Sequence, residues 1–221
     1  MVNKFVAQMS RLAWVAACVW MIAALGGCLY ETTLDANGGG TMTVTLHGIK
    51  RQSFDVIKGK MASSAVTVTS ADFSGDDDNG TALVKLHCDD ILKLSTAEFF
   101  KNVTLTRTAG QAGTTILSAV IRNNTKAPEL SDAALAKLGN EVRIATTFPG
   151  DIVETNGTVS GGRTVNWAWN MKQFFKTPDV MMTAAYKAPA AGSADSAAVP
   201  ATPPPAAPAA GGVPAPAKSE K

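Results

Sequence analysis

Apolar and polar residues alternate with a period of two through much of residues 29–187, which predicts a domain built mainly of β-strands. The segment TMTVTLHGI places Met42, Val44 and Leu46 on one face and threonines on the other. The glycine-rich turn signal NGGG separates this segment from LYETTLD. The two segments therefore predict an antiparallel hairpin.

The same alternation recurs further along the chain. AVTVTSADF and TALVKLHC flank the turn-forming segment SGDDDNG, and NVTLTRT and TTILSAVIR flank AGQAG. Each pair predicts another hairpin. Three later segments, EVRIATTF, GTVSGGRTVNWAW and MMTAAYKA, predict additional strands.

Helical patterns are fewer and shorter. SFDVIKGKMA has its apolar residues at roughly helical spacing, at Phe54, Val56, Ile57 and Met61. STAEFFK begins with Ser95 and has Glu98 three residues later, the pattern of a capping box. SDAALAKLGN ends with a candidate C-terminal cap at Gly139. The predicted fold class is α+β, one domain of predominantly antiparallel sheet with two or three short helices packed on it.

Prolines and glycines mark the late strands. Pro149 cannot donate a ladder hydrogen bond, so it is expected to end a strand. The pair Asn156 and Gly157 predicts a tight turn with positive φ, and the pair Gly161 and Gly162 predicts a second turn or a bulge.

Two tryptophans lie on one face of the last predicted strand before residue 171. Val165, Trp167 and Trp169 alternate with polar or small residues, so they share that face. Such a row is expected either in the core or as the wall of a ligand pocket, because indole suits a partly wet site.

The N-terminus is a distinct segment. Leu12–Leu25 is a stretch of 14 residues without charge, preceded by Lys4 and Arg11. This order is typical of a secretory signal peptide. As a helix the stretch would span about 21 Å, less than the ~30 Å of a hydrocarbon core.

The apolar stretch ends with Leu25, Gly26, Gly27 and Cys28. These four residues resemble the lipobox of bacterial lipoproteins. The resemblance implies a diacylglyceryl group on the Cys28 thiol, cleavage just before Cys28 and a membrane anchor. The alternatives are an ordinary signal peptide or an uncleaved anchor. Leu29 stands where aspartate would signal inner-membrane retention, so the periplasmic face of the outer membrane is favoured in a Gram-negative organism.

Composition divides the chain into a signal peptide at 1–27, a domain at 28–187 and a tail at 188–221. The tail holds 8 of the chain's 11 prolines and no aromatic residue, which predicts disorder. It could act as a spacer that reaches cell wall or a protein partner. Without Lys4 and Arg11, 18 basic side chains balance 18 acidic ones. This balance gives no electrostatic support for nucleic-acid binding.

Candidate catalytic and metal-ligating residues are few. His87 and Cys88 are adjacent in a predicted strand, so they should point to opposite faces and not act as a pair. Asp76–Asn79 offers oxygen ligands without the EF-hand spacing, and is better explained as a hairpin turn. The chain has no GxSxG, HExxH or Walker motif. We therefore expect no enzyme activity, no metal and no cofactor.

The late block TTFPGDIVETNGTVSGGRTVNWAW, following the lipobox, the glycine-rich hairpin and the first helix, resembles the LppM-like domain of bacterial lipoproteins. The resemblance rests on its proline–glycine and asparagine–glycine pairs and on Trp167 in a closing strand. It implies an envelope lipoprotein that binds a lipid or glycolipid in this domain. The alternative is a scaffold that binds protein or cell wall without a small ligand. A pocket lined by Val165, Trp167 and Trp169 would favour the first, and a solid core the second.

Overall fold

The alternation of threonine with apolar residues after residue 40 produces the predicted hairpin. In the computed structural model, which describes residues 26–123 and 141–187, β1 (Gly26–Leu34) pairs with β2 (Gly40–Ile49) in antiparallel register. Met42, Val44 and Leu46 point into the core and expose at most 7% of their surface. The prediction for this hairpin is confirmed.

The other predicted hairpins are confirmed as well. The remaining strands are β3 (Val66–Asp76), β4 (Asn79–Cys88), β5 (Val103–Ala109), β6 (Thr114–Arg122), β7 (Glu141–Thr147), β8 (Ile152–Thr155), β9 (Thr158–Ser160), β10 (Thr164–Asn170) and β11 (Asp179–Lys187). The helices are α1 (Arg51–Met61) and α2 (Met171–Lys176), with 3₁₀ segments at Ile91–Thr96, Glu98–Phe100 and Gln111–Gly113. Sequence alternation did not identify β8.

The strands form two sheets. The large sheet has seven strands in the order β3-β4-β2-β1-β7-β10-β9, and the small sheet has four in the order β5-β6-β11-β8. Neighbouring strands are antiparallel except β1 and β7, which are parallel. The predicted α+β class with a mainly antiparallel sheet is confirmed.

One hydrophobic core joins the large sheet, α1 and the small sheet. Helix α1 buries Phe54, Ile57 and Met61. Val56, which the apolar pattern placed on the same helix face, is 47% exposed instead. The small sheet contributes buried residues from β6 and β11, and its Tyr186 ring lies 5.1 Å from the Phe148 ring.

The predicted α-helix at STAEFFK is wrong. Ser95 lies inside the first 3₁₀ segment, and Ala97 is extended at φ −79° and ψ 132°. This extended residue separates Ser95 from Glu98, so the capping box cannot form. The first 3₁₀ segment, Ile91–Thr96, is capped by Asp90, whose side-chain oxygen accepts a hydrogen bond from the Leu92 amide at 3.1 Å.

The turn predicted at Asn156 and Gly157 has a different form. The prediction of positive φ is wrong here, because neither Asn156 nor Gly157 is among the described residues with a positive φ. The chain crosses here from β8 in the small sheet to β9 in the large sheet. The turn predicted at Gly161 and Gly162 is confirmed, since both residues have positive φ, at 59° and 76°. Pro149 follows the end of β7, as predicted.

Some predictions fall outside the described residues: the signal peptide through residue 25, the helix at SDAALAKLGN and the tail from residue 188. All of the described residues belong to one compact unit of the chain. Within residues 26–123 and 141–187, no helix has the length and apolar character needed to cross a membrane.

Candidate membrane-anchor site

Cys28 is the third residue of β1, near the start of a strand in the middle of the large sheet. Its backbone lies opposite Leu46 of β2 on one side and Val142 of β7 on the other. The lipobox glycines Gly26 and Gly27 belong to the same strand. In the uncleaved chain, the predicted cleavage point therefore lies inside the sheet.

The Cys28 side chain faces the core. It packs against the core cluster together with Tyr30, which lies two residues later on the same face of β1. Burial raises the pKa of the Cys28 thiol to about 11, and a hydrogen bond with the Tyr30 side chain partly offsets this. Burial also raises the pKa of Tyr30 well above its usual value.

A pKa near 11 keeps the Cys28 thiol protonated at neutral pH. The thiolate is the nucleophilic form of cysteine. In the finished sheet, burial therefore makes the Cys28 thiol less reactive than an exposed cysteine.

A second apolar cluster lies at the end of the sheets where β1 begins. Its members are Val142, Met171, Phe174 and Val180, with Ile121, Trp169 and Phe175 packed around them. The register of the large sheet places Cys28, Val142 and Trp169 in one row across three neighbouring strands. We call the region formed by this row and α2 the anchor end.

Helix α2 connects the two sheets at the anchor end. It follows β10 of the large sheet and precedes β11 of the small sheet, so it bridges the two sheets. Asn170 caps its start by accepting a hydrogen bond from the Lys172 amide at 3.0 Å. Asn123, after β6, donates to the carbonyls of Phe174 and Thr177 at 2.7 and 2.9 Å. Both helix termini are thus held by asparagine side chains.

The outer surface of α2 is polar, with one aromatic side chain. Lys172 and Lys176 are exposed four residues apart, and Phe175 is half-buried beside them. Phe174 is buried and packs with Trp169, with ring centroids 5.7 Å apart. A shallow, open depression of about 390 Å³ is lined by Asn170, Lys172, Gln173, Lys176 and Thr177.

The row Val165, Trp167 and Trp169 divides between two environments. Val165 is fully buried and Trp167 is 7% exposed, and both belong to the main core. Trp169 is partly buried and touches both apolar clusters. None of the three lines the depression beside α2. Of the two expectations for this row, core or pocket wall, Val165 and Trp167 fit the core.

Asn156 organises the contact between the two sheets, a role that its sequence pattern did not reveal. Its Oδ1 accepts hydrogen bonds from Trp167 Nε1 at 2.8 Å and from the Thr183 amide at 2.9 Å. Its Nδ2 donates to the Met181 carbonyl at 3.0 Å. A Cβ on Gly157 would lie 2.5 Å from Val165 and 2.7 Å from Trp167, so glycine is required there. The pair was recognised as a turn signal, but a turn signal does not specify which strands the side chain joins.

The other polar candidates do not converge. His87 is exposed and pairs with Asp89 at 3.3 Å, whereas Cys88 is buried on the opposite face of β4. Asp77 and Asp78 of the β3–β4 turn form ion pairs with Arg51 at 3.1 Å and Lys50 at 3.2 Å. In the part of the chain that the structure describes, no three His, Cys, Asp or Glu side chains are grouped to hold a metal ion.

Comparison with known proteins gives a family match. The LppM domain family matches residues 40–177. The chain is also similar in structure to the folded domain of LppM from Mycobacterium tuberculosis, solved by NMR, with 14% sequence identity and a TM-score of 0.46. That similarity covers 74% of this chain and 90% of the other. No curated protein sequence matches the chain.

Proposed function

Because the chain belongs to the LppM domain family, we propose that it is an exported bacterial lipoprotein, held at a membrane through a lipid on Cys28. The family is a lipoprotein-related domain, which is consistent with an envelope lipoprotein. The carrying observation is the sequence Leu25-Gly26-Gly27-Cys28 at the end of a charge-free stretch, whose last three residues begin the first strand of the domain. Leu29 after the cysteine supports the periplasmic face of an outer membrane in a Gram-negative organism.

The chemistry explains why one cysteine suffices as an anchor. Each buried methylene contributes about 0.8 kcal/mol to membrane binding, and a single acyl chain holds a protein only marginally. A diacylglyceryl thioether places two chains on one residue. An anchor of this kind keeps the domain at the membrane without a spanning helix.

Metabolic labelling with an alkyne fatty acid tests the anchor. Expressed in a bacterium with lipoprotein processing, the chain is expected to incorporate label and to fractionate with membranes. Cys28→Ser should lose both properties. Cys88→Ser is the matched control, since it makes the same chemical change at the other described cysteine and should keep the label. Label that persists in Cys28→Ser would contradict the proposal.

For the folded domain we propose a non-enzymatic binding role. The burial of Val165 and Trp167 supports an interaction module for protein or cell wall, because these residues fill the core rather than face an opening. The family resemblance supports the other candidate, a lipid or glycolipid ligand. Native mass spectrometry of secreted residues 29–187, recovered without detergent, separates the two. A bound mass released by organic solvent supports the ligand, and an unchanged apo mass after exposure to envelope lipid extract supports the module.

A further inference from the structure

The position of Cys28 restricts how the domain can sit on a membrane. Cys28 is already within β1 and is paired on both sides, so no spacer separates a lipid on its thiol from the large sheet. A lipoprotein with a long linker after its cysteine could hold its domain far from the bilayer. After cleavage Cys28 would be the first residue of β1, so its thiol and lipid can turn outward from the core, and this strand end has to lie next to the membrane surface.

The anchor end has the chemistry of a surface that contacts lipid. Lys172 and Lys176 are both exposed, and residues four apart lie on the same side of a helix. Basic side chains near a membrane are attracted by anionic headgroups. Phe175 is half-exposed beside them and is backed by the second apolar cluster. An apolar ring flanked by two lysines matches the change from headgroup to acyl chain across a membrane interface.

We propose that the anchor end is a membrane-docking surface, with Lys172 and Lys176 at anionic lipid headgroups and Phe175 at the interface. This inference rests on the proposed lipid anchor at Cys28. It adds a fixed orientation, in which the sheets stand on the bilayer and the turn between β5 and β6 points away from it. β6 has nine residues, so that turn would lie about 30 Å from the membrane.

Tryptophan fluorescence in proteoliposomes tests the orientation. The processed, acylated chain is purified in a Trp169→Phe background and reconstituted in phosphatidylethanolamine–phosphatidylglycerol vesicles, with or without brominated acyl chains. Phe175→Trp is expected to lose fluorescence in brominated vesicles. Gln111→Trp, at the exposed turn between β5 and β6, should not. Gln173→Trp, exposed on α2, is a second reporter if Phe175→Trp fails to fold.

The outcomes separate this inference from the anchor itself. Mass spectrometry of the purified chain first shows whether Cys28 is acylated. If it is acylated and both tryptophan positions respond equally to bromine, the docking surface is wrong and the anchor stands. If Cys28 carries no lipid, the anchor proposal fails and the docking surface fails with it. Quenching at α2 alone supports both.

Discussion

The sharpest prediction concerns Asn156, whose side chain joins the two sheets. After β8 ends at Thr155, the side chain of Asn156 continues the pairing with β11. Its Oδ1 accepts from the backbone N–H of Thr183, and its Nδ2 donates to the Met181 carbonyl. The same Oδ1 accepts from the buried indole of Trp167. Asn156→Ala removes all three hydrogen bonds while leaving the backbone free to keep its path.

The cost follows from the burial of each partner. Trp167 is 7% exposed, and a buried donor left without an acceptor costs about 1–3 kcal/mol. The two bonds to β11 are at an exposed site, where water can replace the lost partner, so they contribute only about 0.5 kcal/mol each. We expect Asn156→Ala to lower the free energy of unfolding by about 2–4 kcal/mol. For a domain of this size that corresponds to a fall in Tm of about 4–16 °C.

Urea and thermal unfolding of the chain without its signal peptide, with Cys28→Ser, measure this change. Asn166→Ala is the matched control, because Asn166 makes one exposed hydrogen bond to Ser160 and its loss should cost less than about 0.5 kcal/mol. Proton exchange at Trp167 Nε1 gives a local readout and should accelerate only in Asn156→Ala. Equal stability of the two variants would refute the idea that Asn156 holds the sheets together.

Three further predictions use the same unfolding assay or a simple labelling experiment. Gly157→Ala should lower the free energy of unfolding by more than about 2 kcal/mol, because its Cβ would lie 2.5 Å from Val165; a neutral result would show that the crossover can shift. Ile57→Ala should lower the free energy of unfolding by about 2–4 kcal/mol, whereas Val56→Ala should change it by less than about 0.5 kcal/mol, because Ile57 is 3% and Val56 47% exposed. Similar losses of stability in the two variants would show that α1 packs on the core through a different face. Burial, and then the neighbouring acidic charges, raise the pKa of Cys88 from 9.0 to about 11. The buried neutral thiol of Cys88 therefore contributes fully to the free energy of unfolding below pH 9, and this contribution is lost as the pH rises toward 11. With Cys28→Ser, iodoacetamide labelling followed by mass spectrometry should be slow at pH 8 and rise toward pH 11, and rapid labelling at pH 8 would contradict the burial of the thiol.

Strand alternation predicted most of the fold because its signal is local. In β2 each threonine faces outward and each apolar residue faces inward, so the pattern alone defines both faces. The error at STAEFFK has a different origin. Ser95 and Glu98 have the spacing of a cap, but the extended backbone of Ala97 separates them, and that conformation depends on packing rather than on the pair.

The candidate site was predictable in identity but not in geometry. Cys28 was identified by the residues that precede it, whereas the burial of its thiol depends on β7, far away in sequence. The role of Asn156 likewise depends on partners in two other strands, at Trp167, Met181 and Thr183. Period and spacing describe neighbours along the chain, so they cannot specify contacts of this kind.

The parallel pairing of β1 with β7 also sets a schedule for the proposed processing. Cys28 pairs with Val142, about 110 residues later, and such distant parallel contacts form slowly. At about 5–20 residues per second of synthesis, roughly 6–20 s pass before that partner exists. During this interval β1 can pair only with β2, so one flank of the strand stays uncovered. Cleavage before Cys28 and acylation of its thiol would take place in that interval, before β7 covers the second flank of β1.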